Sequence, residues 1–538
     1  MPDPKNISSL IAELAAKMPD RPAIIDGART VSFKELEAEI ALLAAGLSRA
    51  GIKPGLRVAL MVPPSVEFVT LTFALFRAGA VIVLIDPGIG APNMRTCLEE
   101  ARPEAFVGVS KAHAARILLR WAKNSHRISI TVGRKWFWGG FNLEDIRRLG
   151  AGAPAAESAA GTAAILFTSG STGVPKGAVY THAMFAAQAR MLRDYFKIEP
   201  GFNSVPTFPL FALFDVALGL TIVIPEMDFT RPAAVNPAML SGLINKYGAV
   251  QLFGSPALLN TLSRYGERSR TMLPSLKRVI SCGAPVSDAV IARIKKMLQS
   301  GTRVFTPYGA TEALPVSCIS DAELAQLPPG LPGVCVGRTW EGMETFVIKI
   351  SDAPIPAWSE DLQVKDGEIG EIAVKGPVVS AGYFGREEST ALAKIRGAGG
   401  ELYHRMGDTG WKDACGRLWF CGRKSHRVTT AEGTLFTIPC EAVFNAHPGV
   451  RRTALVGIGP AGGQTPVLCV QLDRGAAGSE SLTTGLLALG AAHERTKSIK
   501  TVLYSEGFPV DIRHNAKISR EKLAVWAQSC LKNGGART

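Results

Sequence analysis

No stretch of this chain stays apolar long enough to cross a bilayer. Even the run Leu210 to Pro225 is broken by Asp215, and a spanning helix needs about twenty apolar residues. The residues Met1 to Lys17 mix acidic and polar side chains into an amphipathic helix pattern, without the basic flank and apolar stretch of a secretory signal. Export is therefore not expected, and a cytoplasmic location is. The nine cysteines are scattered, with no Cys-x-x-Cys pair and no His-Glu-x-x-His. That excludes a disulfide framework and a structural zinc site. Helix-turn-helix, zinc-finger and aromatic RNA-binding patterns are missing too, so the net charge of +14 does not point to nucleic acid. Anionic small molecules, an acidic partner protein or a membrane surface fit that charge equally well.

What is present is globular. Apolar residues make up 47% and charged residues 20% of 538, which is too long for one simple core and suggests two to four units of ordinary domain size. Short apolar runs at Arg57 to Val62, Ala80 to Ile85, Ala105 to Val109, Ala163 to Phe167, Ala249 to Phe253 and Arg278 to Ser281 alternate with helical patterns such as Ser65 to Arg77. Parallel sheets with crossover helices require this alternation, so the main body is expected to be layered α/β. From about Gly367 short strands and tight turns, such as Glu368 to Val374 and Arg417 to Cys421, predict a β-rich subdomain. A last unit from about Ser425 alternates strands and helices again. An Ala/Gly-rich stretch between Gly150 and Gly161 reads as a flexible connection.

The most informative segment runs from Leu166 to Gly177, Leu-Phe-Thr-Ser-Gly-Ser-Thr-Gly-Val-Pro-Lys-Gly. A buried strand enters a loop of Thr168, Ser169, Gly170, Ser171, Thr172 and Gly173, which is closed by Lys176. Glycines let backbone amides approach phosphate oxygens, hydroxyls donate hydrogen bonds, and lysine adds a point charge. The spacing is not Walker A, because Lys176 follows Pro175 where that motif needs glycine. By contrast Gly457 to Gly462 matches the dinucleotide fingerprint by letter but runs towards another strand, Val467 to Gln471, and reads as a hairpin-type loop.

The loop resembles the phosphate-binding signature of the adenylate-forming superfamily, which includes acyl-CoA synthetases, luciferases and peptide-synthetase adenylation domains. Further segments resemble its other motifs in the same order. Ser281 to Pro285 looks like the adenine-flanking segment, Thr306 to Glu312 like the aromatic and magnesium segment, and Tyr403 to Thr409 like the ribose segment. Gly422 with Arg423, and Lys517, complete the set. The resemblance implies a large N-terminal domain of layered α/β subdomains plus a β-rich subdomain, residues 1–424, and a small mobile α+β C-terminal domain, residues 425–538. It also implies Mg2+ and ATP, with Glu312 as metal ligand, and Glu312, Thr168 and Lys517 in the chemistry. ATP would be held by residues 168–173 and Lys176, by Gly283, Ala284 and Pro285, by Tyr308, Gly309, Ala310 and Thr311, and by Asp408 and Arg423. Each residue type suits the task, since joining a carboxylate to an anionic α-phosphate requires cationic and hydrogen-bonding groups to neutralise both.

Departures narrow the reading. Ser425 stands where the superfamily commonly has an Asp or Lys hinge, Ala516 replaces the glycine before the lysine, and His426 to Pro439 lacks the lysine-bearing pattern that presents a thiol. Ala212, in Phe208 to Gly219, replaces a histidine common among relatives. Phe211, Ala212 and Phe214 then either line a wide acyl channel or belong to a buried core helix. Together with Ile224 to Pro232 and Thr306 to Pro315, these features resemble the β-lactone synthetase branch from bacterial long-chain olefin biosynthesis. That branch adenylates a 2-alkyl-3-hydroxy fatty acid, whose own hydroxyl closes the ring without a thiol. It works beside a thiolase-like condensing enzyme, an NADPH-dependent reductase and a lactone decarboxylase. A long-chain acyl-CoA or acyl-carrier ligase is the alternative enzyme, and an ATP- or acyl-adenylate-binding module the non-enzyme one. His182 and His426 are candidates to take the hydroxyl proton. Arg134 to Phe141 joins basic and aromatic residues, either as a membrane or partner contact or as cover for a domain core.

Overall fold

A computed structural model describes residues 6–152, 161–168, 175–473, 476–510 and 518–532. Its two main sheets pack around one helix. Val66–Arg77 follows Ser65, whose side chain accepts a hydrogen bond from the Phe68 amide, and every residue but Glu67 is buried. A helix apolar on all sides needs cover on all sides, and here both sheets supply it. Even Arg77 is inside, neutralised by Glu37 through contacts of 2.5 and 2.9 Å.

One sheet has seven strands in the order Phe141–Asn142, Ile128–Val132, Ala105–Val109, Arg57–Met61, Val81–Ile85, Thr162–Thr168 and Lys176–Thr181. All neighbours are parallel except the last pair, which forms a hairpin with Thr168 opposite Lys176. The other sheet has fourteen strands. Its parallel part runs through Pro22–Asp26, Thr221–Ile224, Asn203–Pro206, Gln251–Phe253, Arg278–Ile280 and Arg303–Ala310. From Ala313–Ser320 onward the neighbours are antiparallel, through Val334–Thr339, Arg417–Arg423, Leu402–Lys412, Gly370–Lys375 and Glu344–Ile348. The expected β-rich subdomain is thus a continuation of the parallel sheet and begins earlier than Gly367.

The C-terminal part has its own three-stranded sheet, Arg452–Ile458, Thr465–Gln471 and Thr501–Tyr504. Strand alternation splits its core in two. Leu455, Leu468 and Val470 pack with Phe444 and Leu486 on one face, and Ala454, Val456, Val467 and Cys469 pack with Leu523 and Ala527 on the other. Ile458 pairs with Thr465 across an antiparallel turn, so the glycine-rich segment there is the hairpin expected from sequence. All nine cysteines are free thiols, six of them buried.

Candidate active site

Parallel strands in open α/β sheets present their following loops as a ligand crevice. Arg278–Ile280 leads into Ser281, Cys282, Gly283, Ala284 and Pro285, with Gly283 at φ +94°. The Ser281 side chain is fully buried and its hydroxyl has no partner among the described residues. An unpaired buried hydroxyl costs free energy unless a ligand or water meets it.

Arg303–Ala310 carries Tyr308, whose hydroxyl donates to Asp408 Oδ2 at 2.6 Å. Asp408 and Arg423 face each other across adjacent strands. Arg423 Nη1 lies 2.9 Å from Asp408 Oδ1, but off the line of its N–H, and it donates at 3.2 Å to the Met406 carbonyl. Oδ1 is buried yet has no aligned donor among the described residues. Burial, then the charge of Asp408, pushes the Tyr308 phenol well above its ordinary range, and Asp408 raises Arg423. Tyr308 therefore stays a phenol and Arg423 a guanidinium, both against Asp408. The three groups form a polar rim able to accept sugar hydroxyls at Oδ1 and donate from the guanidinium.

The turn beyond Ala310 places Thr311 and Glu312. The buried Tyr180 hydroxyl donates to the Thr311 carbonyl. The Glu312 carbonyl accepts from the Ser380 amide at 2.8 Å, and its Oε1 accepts from the Tyr383 hydroxyl at 2.6 Å. Residues 379–383 bridge the two sheets, with Val379 opposite Ala313 and Tyr383 opposite Ala178. Lys176 sits with its ammonium 5.2 Å from the Tyr383 ring centre. Lysine and glutamate, 136 positions apart in sequence, therefore meet the same tyrosine. Behind them Lys394 donates to Ser380 Oγ at 3.2 Å. Burial lowers its pKa to about 7, against the opposing pull of Glu312. Among the described residues, no three His, Cys, Asp or Glu side chains are grouped to hold a metal by themselves. One half-buried carboxylate is nevertheless what Mg2+ requires when nucleotide phosphates and waters complete its shell.

On the apolar side, helix Pro209–Ala217 turns Phe211 and Phe214 to its partly open face and Ala212 into the core. Phe211 stacks on Phe253 with centroids 4.1 Å apart, and Phe214 approaches Phe185 at 6.1 Å. The helix is held by Asp215, fully buried, which accepts from Ser204 Oγ at 2.6 Å and Gln251 Nε2 at 2.7 Å. Arg278 donates to Gln251 at 2.6 Å. Burial raises the Asp215 pKa to about 7.

Gly309 and Ala310 lie between Tyr308 and Thr311 in the same crevice. Ser169, Gly170, Ser171, Thr172, Gly173, Lys517 and the Thr168 side chain lie outside the described residues. One expectation changes. His182 begins the helix after Lys176–Thr181 and so sits at the end of the hairpin remote from the phosphate loop. Six strand residues put it roughly 17–20 Å away, edge-on to Phe76 and lining a separate cavity with Arg57 and Phe384. It cannot receive the hydroxyl proton there. His426 ends the turn Lys424–His426, its Nε2 3.1 Å from Glu521 Oε1. Sequence reasoning missed Tyr383, Tyr180, Ser380 and Lys394, which belong to no short motif. It read Asp215 only as a break in an apolar run, although a carboxylate amid Phe, Leu and Val was itself a signal of buried pairing.

Crevice, phenol–carboxylate–guanidinium rim and bridging glutamate describe a nucleotide-activating enzyme, and the chain belongs to the AMP-binding enzyme family, matched over residues 11–384. It is 50% identical to an olefin beta-lactone synthetase of Xanthomonas campestris pv. campestris over 97% of both chains. It is 48% identical to the olefin beta-lactone synthetase of Stenotrophomonas maltophilia, over 98% of this chain and 99% of that one. In fold it is similar to an amide bond synthetase from Marinactinospora thermotolerans, with a TM-score of 0.79, 22% identity, and 97% and 99% of the two chains covered.

Proposed function

We infer that this protein uses ATP to convert a long-chain 2-alkyl-3-hydroxy fatty acid to a β-lactone by way of the acyl-adenylate. The observation that carries the reading is near-half identity, along the whole length, to two olefin beta-lactone synthetases. In the first step a carboxylate oxygen attacks the α-phosphorus and diphosphate leaves. In the second, the substrate's 3-hydroxyl oxygen attacks the activated carbonyl carbon, AMP departs with its phosphate oxygen, and the hydroxyl proton is released. Because nucleophile and electrophile share one molecule, ring closure needs orientation rather than a second binding event.

The chain's residues divide this work. Residues 168–173 and Lys176 hold the phosphates, while Gly283, Ala284, Pro285 and Tyr308 to Thr311 frame the adenine. Asp408 accepts ribose hydroxyls, and Arg423 beside it donates to the sugar. Lys517 neutralises the oxygens shared between acyl and phosphate groups. Glu312, oriented by Tyr383 and Ser380, would hold Mg2+, which when bound spreads the negative charge of the phosphate oxygens. Phe211 and Phe214 form part of an apolar wall for the acyl chain, with Ala212 behind them. We divide the chain into residues 1–424, binding ATP and acid, and a mobile 425–538 carrying Lys517. The separate C-terminal cores support that division, with Ser425 in the single turn Lys424–His426 between them. Among the described residues no helix is long and apolar enough to cross a membrane, and we place the enzyme in the cytoplasm. A thiolase-like enzyme, a reductase and a lactone decarboxylase would supply its substrate and consume its product.

The test incubates purified protein with ATP, Mg2+ and a long-chain 2-alkyl-3-hydroxy acid, with and without CoA, and follows lactone ring protons by NMR. Lactone is expected without CoA and is lost in Lys517→Ala. Acyl-CoA formed only when CoA is present would overturn the reading in favour of a ligase.

A further inference from the structure

The positive charge of this chain is unevenly distributed. Between Ala105 and Leu143 lie Lys111, Arg116, Arg120, Lys123, Arg127, Arg134 and Lys135, with no Asp or Glu, and these seven make up half of the net +14. Glu104 and Glu144 border the stretch. It forms one edge of the seven-stranded sheet, consisting of Ala105–Val109, helix Ser110–Leu118, Ile128–Val132 and the connection to the terminal strand Phe141–Asn142.

The same edge exposes large apolar side chains. Leu118 is 81% exposed and Leu119 42%, with Ile117 beside them, while Phe137 is 79% and Trp136 50% exposed. The other exposed large hydrophobics are spread over the rest of the chain, as on any surface. These five form two tips at opposite ends of helix Ser110–Leu118. Ser110 at its start donates to the Arg134 carbonyl, whereas Leu118 ends it, and nine residues span about 13 Å.

Both tips stand on rigid supports. Trp138 is buried, stacked on His113 at 5.3 Å and 21°, and donates to Thr131 Oγ1 at 2.9 Å. Trp136 and Phe137 pack on Trp138 at 5.5 and 5.3 Å. At the other tip Trp121 is buried, and Arg116 lies 5.6 Å from the Phe106 ring centre. The aromatic segment therefore both covers the core, through Trp138, and leaves Trp136 and Phe137 outside it. Fixed apolar side chains in water are unfavourable unless something covers them.

We propose that this edge docks the protein on an anionic lipid surface, with Leu118, Leu119, Trp136 and Phe137 entering the headgroup boundary and the basic residues meeting lipid phosphates. Charge complementarity selects this occupant. Apolar tips within a stretch that carries seven Lys and Arg and no Asp or Glu suit an anionic interface, whereas a second copy would bring the same cations against themselves. The docking stands independently of the catalytic reading, and only its use in capturing a membrane-dissolved acid rests on the lactone reaction.

The whole protein would be floated with vesicles of phosphatidylcholine alone and of equal parts phosphatidylcholine and phosphatidylglycerol. It is expected to float with the mixed vesicles only, and to be released by salt. Trp136→Ser with Phe137→Ser, and separately Leu118→Ser with Leu119→Ser, should each weaken binding about tenfold. Arg120→Gln with Lys123→Gln should do so by about tenfold at low salt. All three variants should keep the wild-type melting temperature and pyrophosphate exchange. Wild-type protein left unbound by the mixed vesicles, or variants floating as well as wild type, would overturn the proposal. So would sedimentation showing a dimer that the variants dissociate without any lipid binding, which would assign the edge to a second copy.

Discussion

Glu371 and Asp408 are carboxylates buried in the antiparallel half of the same sheet, at 1% and 5% exposure, and a single residue of register separates them, since Glu371 pairs with Thr409. Each faces an arginine, yet their surroundings differ. Glu371 accepts from Arg405 at 2.7 and 3.2 Å and from Lys424 at 3.2 Å, with Lys424 also 3.1 Å from its second oxygen. Arg405 in turn donates to the carbonyls of Ala353 and Leu392 at 2.8 and 3.1 Å. Asp408 has one phenol, one ion pair and an oxygen without an aligned donor. A buried charge saturated by side chains is a structural device, whereas one left partly open invites a ligand.

The largest expected effect is on stability. Glu371→Ala would leave the buried Arg405 and the half-buried Lys424 without their counter-charge and should cost about 3–5 kcal/mol, read by denaturant unfolding with and without ATP. If the loss disappeared on adding ATP, Glu371 would belong to the ligand site instead. Asp408→Asn should keep the fold but raise the ATP requirement about hundredfold, the scale of lost hydrogen bonds to a charged acceptor. It should also abolish the rise in melting temperature that ATP gives wild type. An unchanged KM for ATP would remove Asp408 from the nucleotide site.

A third buried carboxylate sharpens the contrast. Asp215 is met by the neutral donors Ser204 and Gln251, and burial raises its pKa to about 7. The folded state then holds a proton that the unfolded state releases at lower pH. Its stabilising contribution is present below the ordinary carboxylate range and lost as pH rises through about 7. Asp215→Asn should therefore gain stability relative to wild type as pH rises from about 4 through about 7, measured as the difference in melting temperature. A pH-independent difference would contradict this. The smallest effect is expected for Tyr383→Phe, which removes the hydrogen bond orienting Glu312. It should lower kcat/KM by about tenfold or less and raise the Mg2+ concentration needed for half-maximal rate. An unaltered Mg2+ dependence would detach Tyr383 from metal positioning.

Much of this was legible in the chain itself. The parallel strands, the helix Val66–Arg77, the hairpin after Ile458 and the order of Tyr308, Glu312, Asp408 and Arg423 all rest on local patterns, namely apolar runs, caps, glycines and short motifs. His182 was misplaced because proximity in sequence to the loop said nothing about the strand that carries it away. Tyr383, Ser380 and Lys394 stayed hidden because they reach Glu312 through a bridge between two sheets, with no periodicity or spacing to mark them. The aromatic segment divided because Trp138 turns inward onto His113 and Thr131, while Trp136 and Phe137 remain exposed.

The layered α/β class and the set of residues that resemble an adenylate-forming site were legible in the chain, since each depends on neighbours within a few positions. Only the tertiary structure decided which carboxylate is closed and which is open. Tyr308 and Asp408 are 100 positions apart and Glu371 and Lys424 are 53 apart. Burial and pairing, which determine whether a charge serves the fold or a ligand, arise only when such distant side chains are brought together and water is removed from between them.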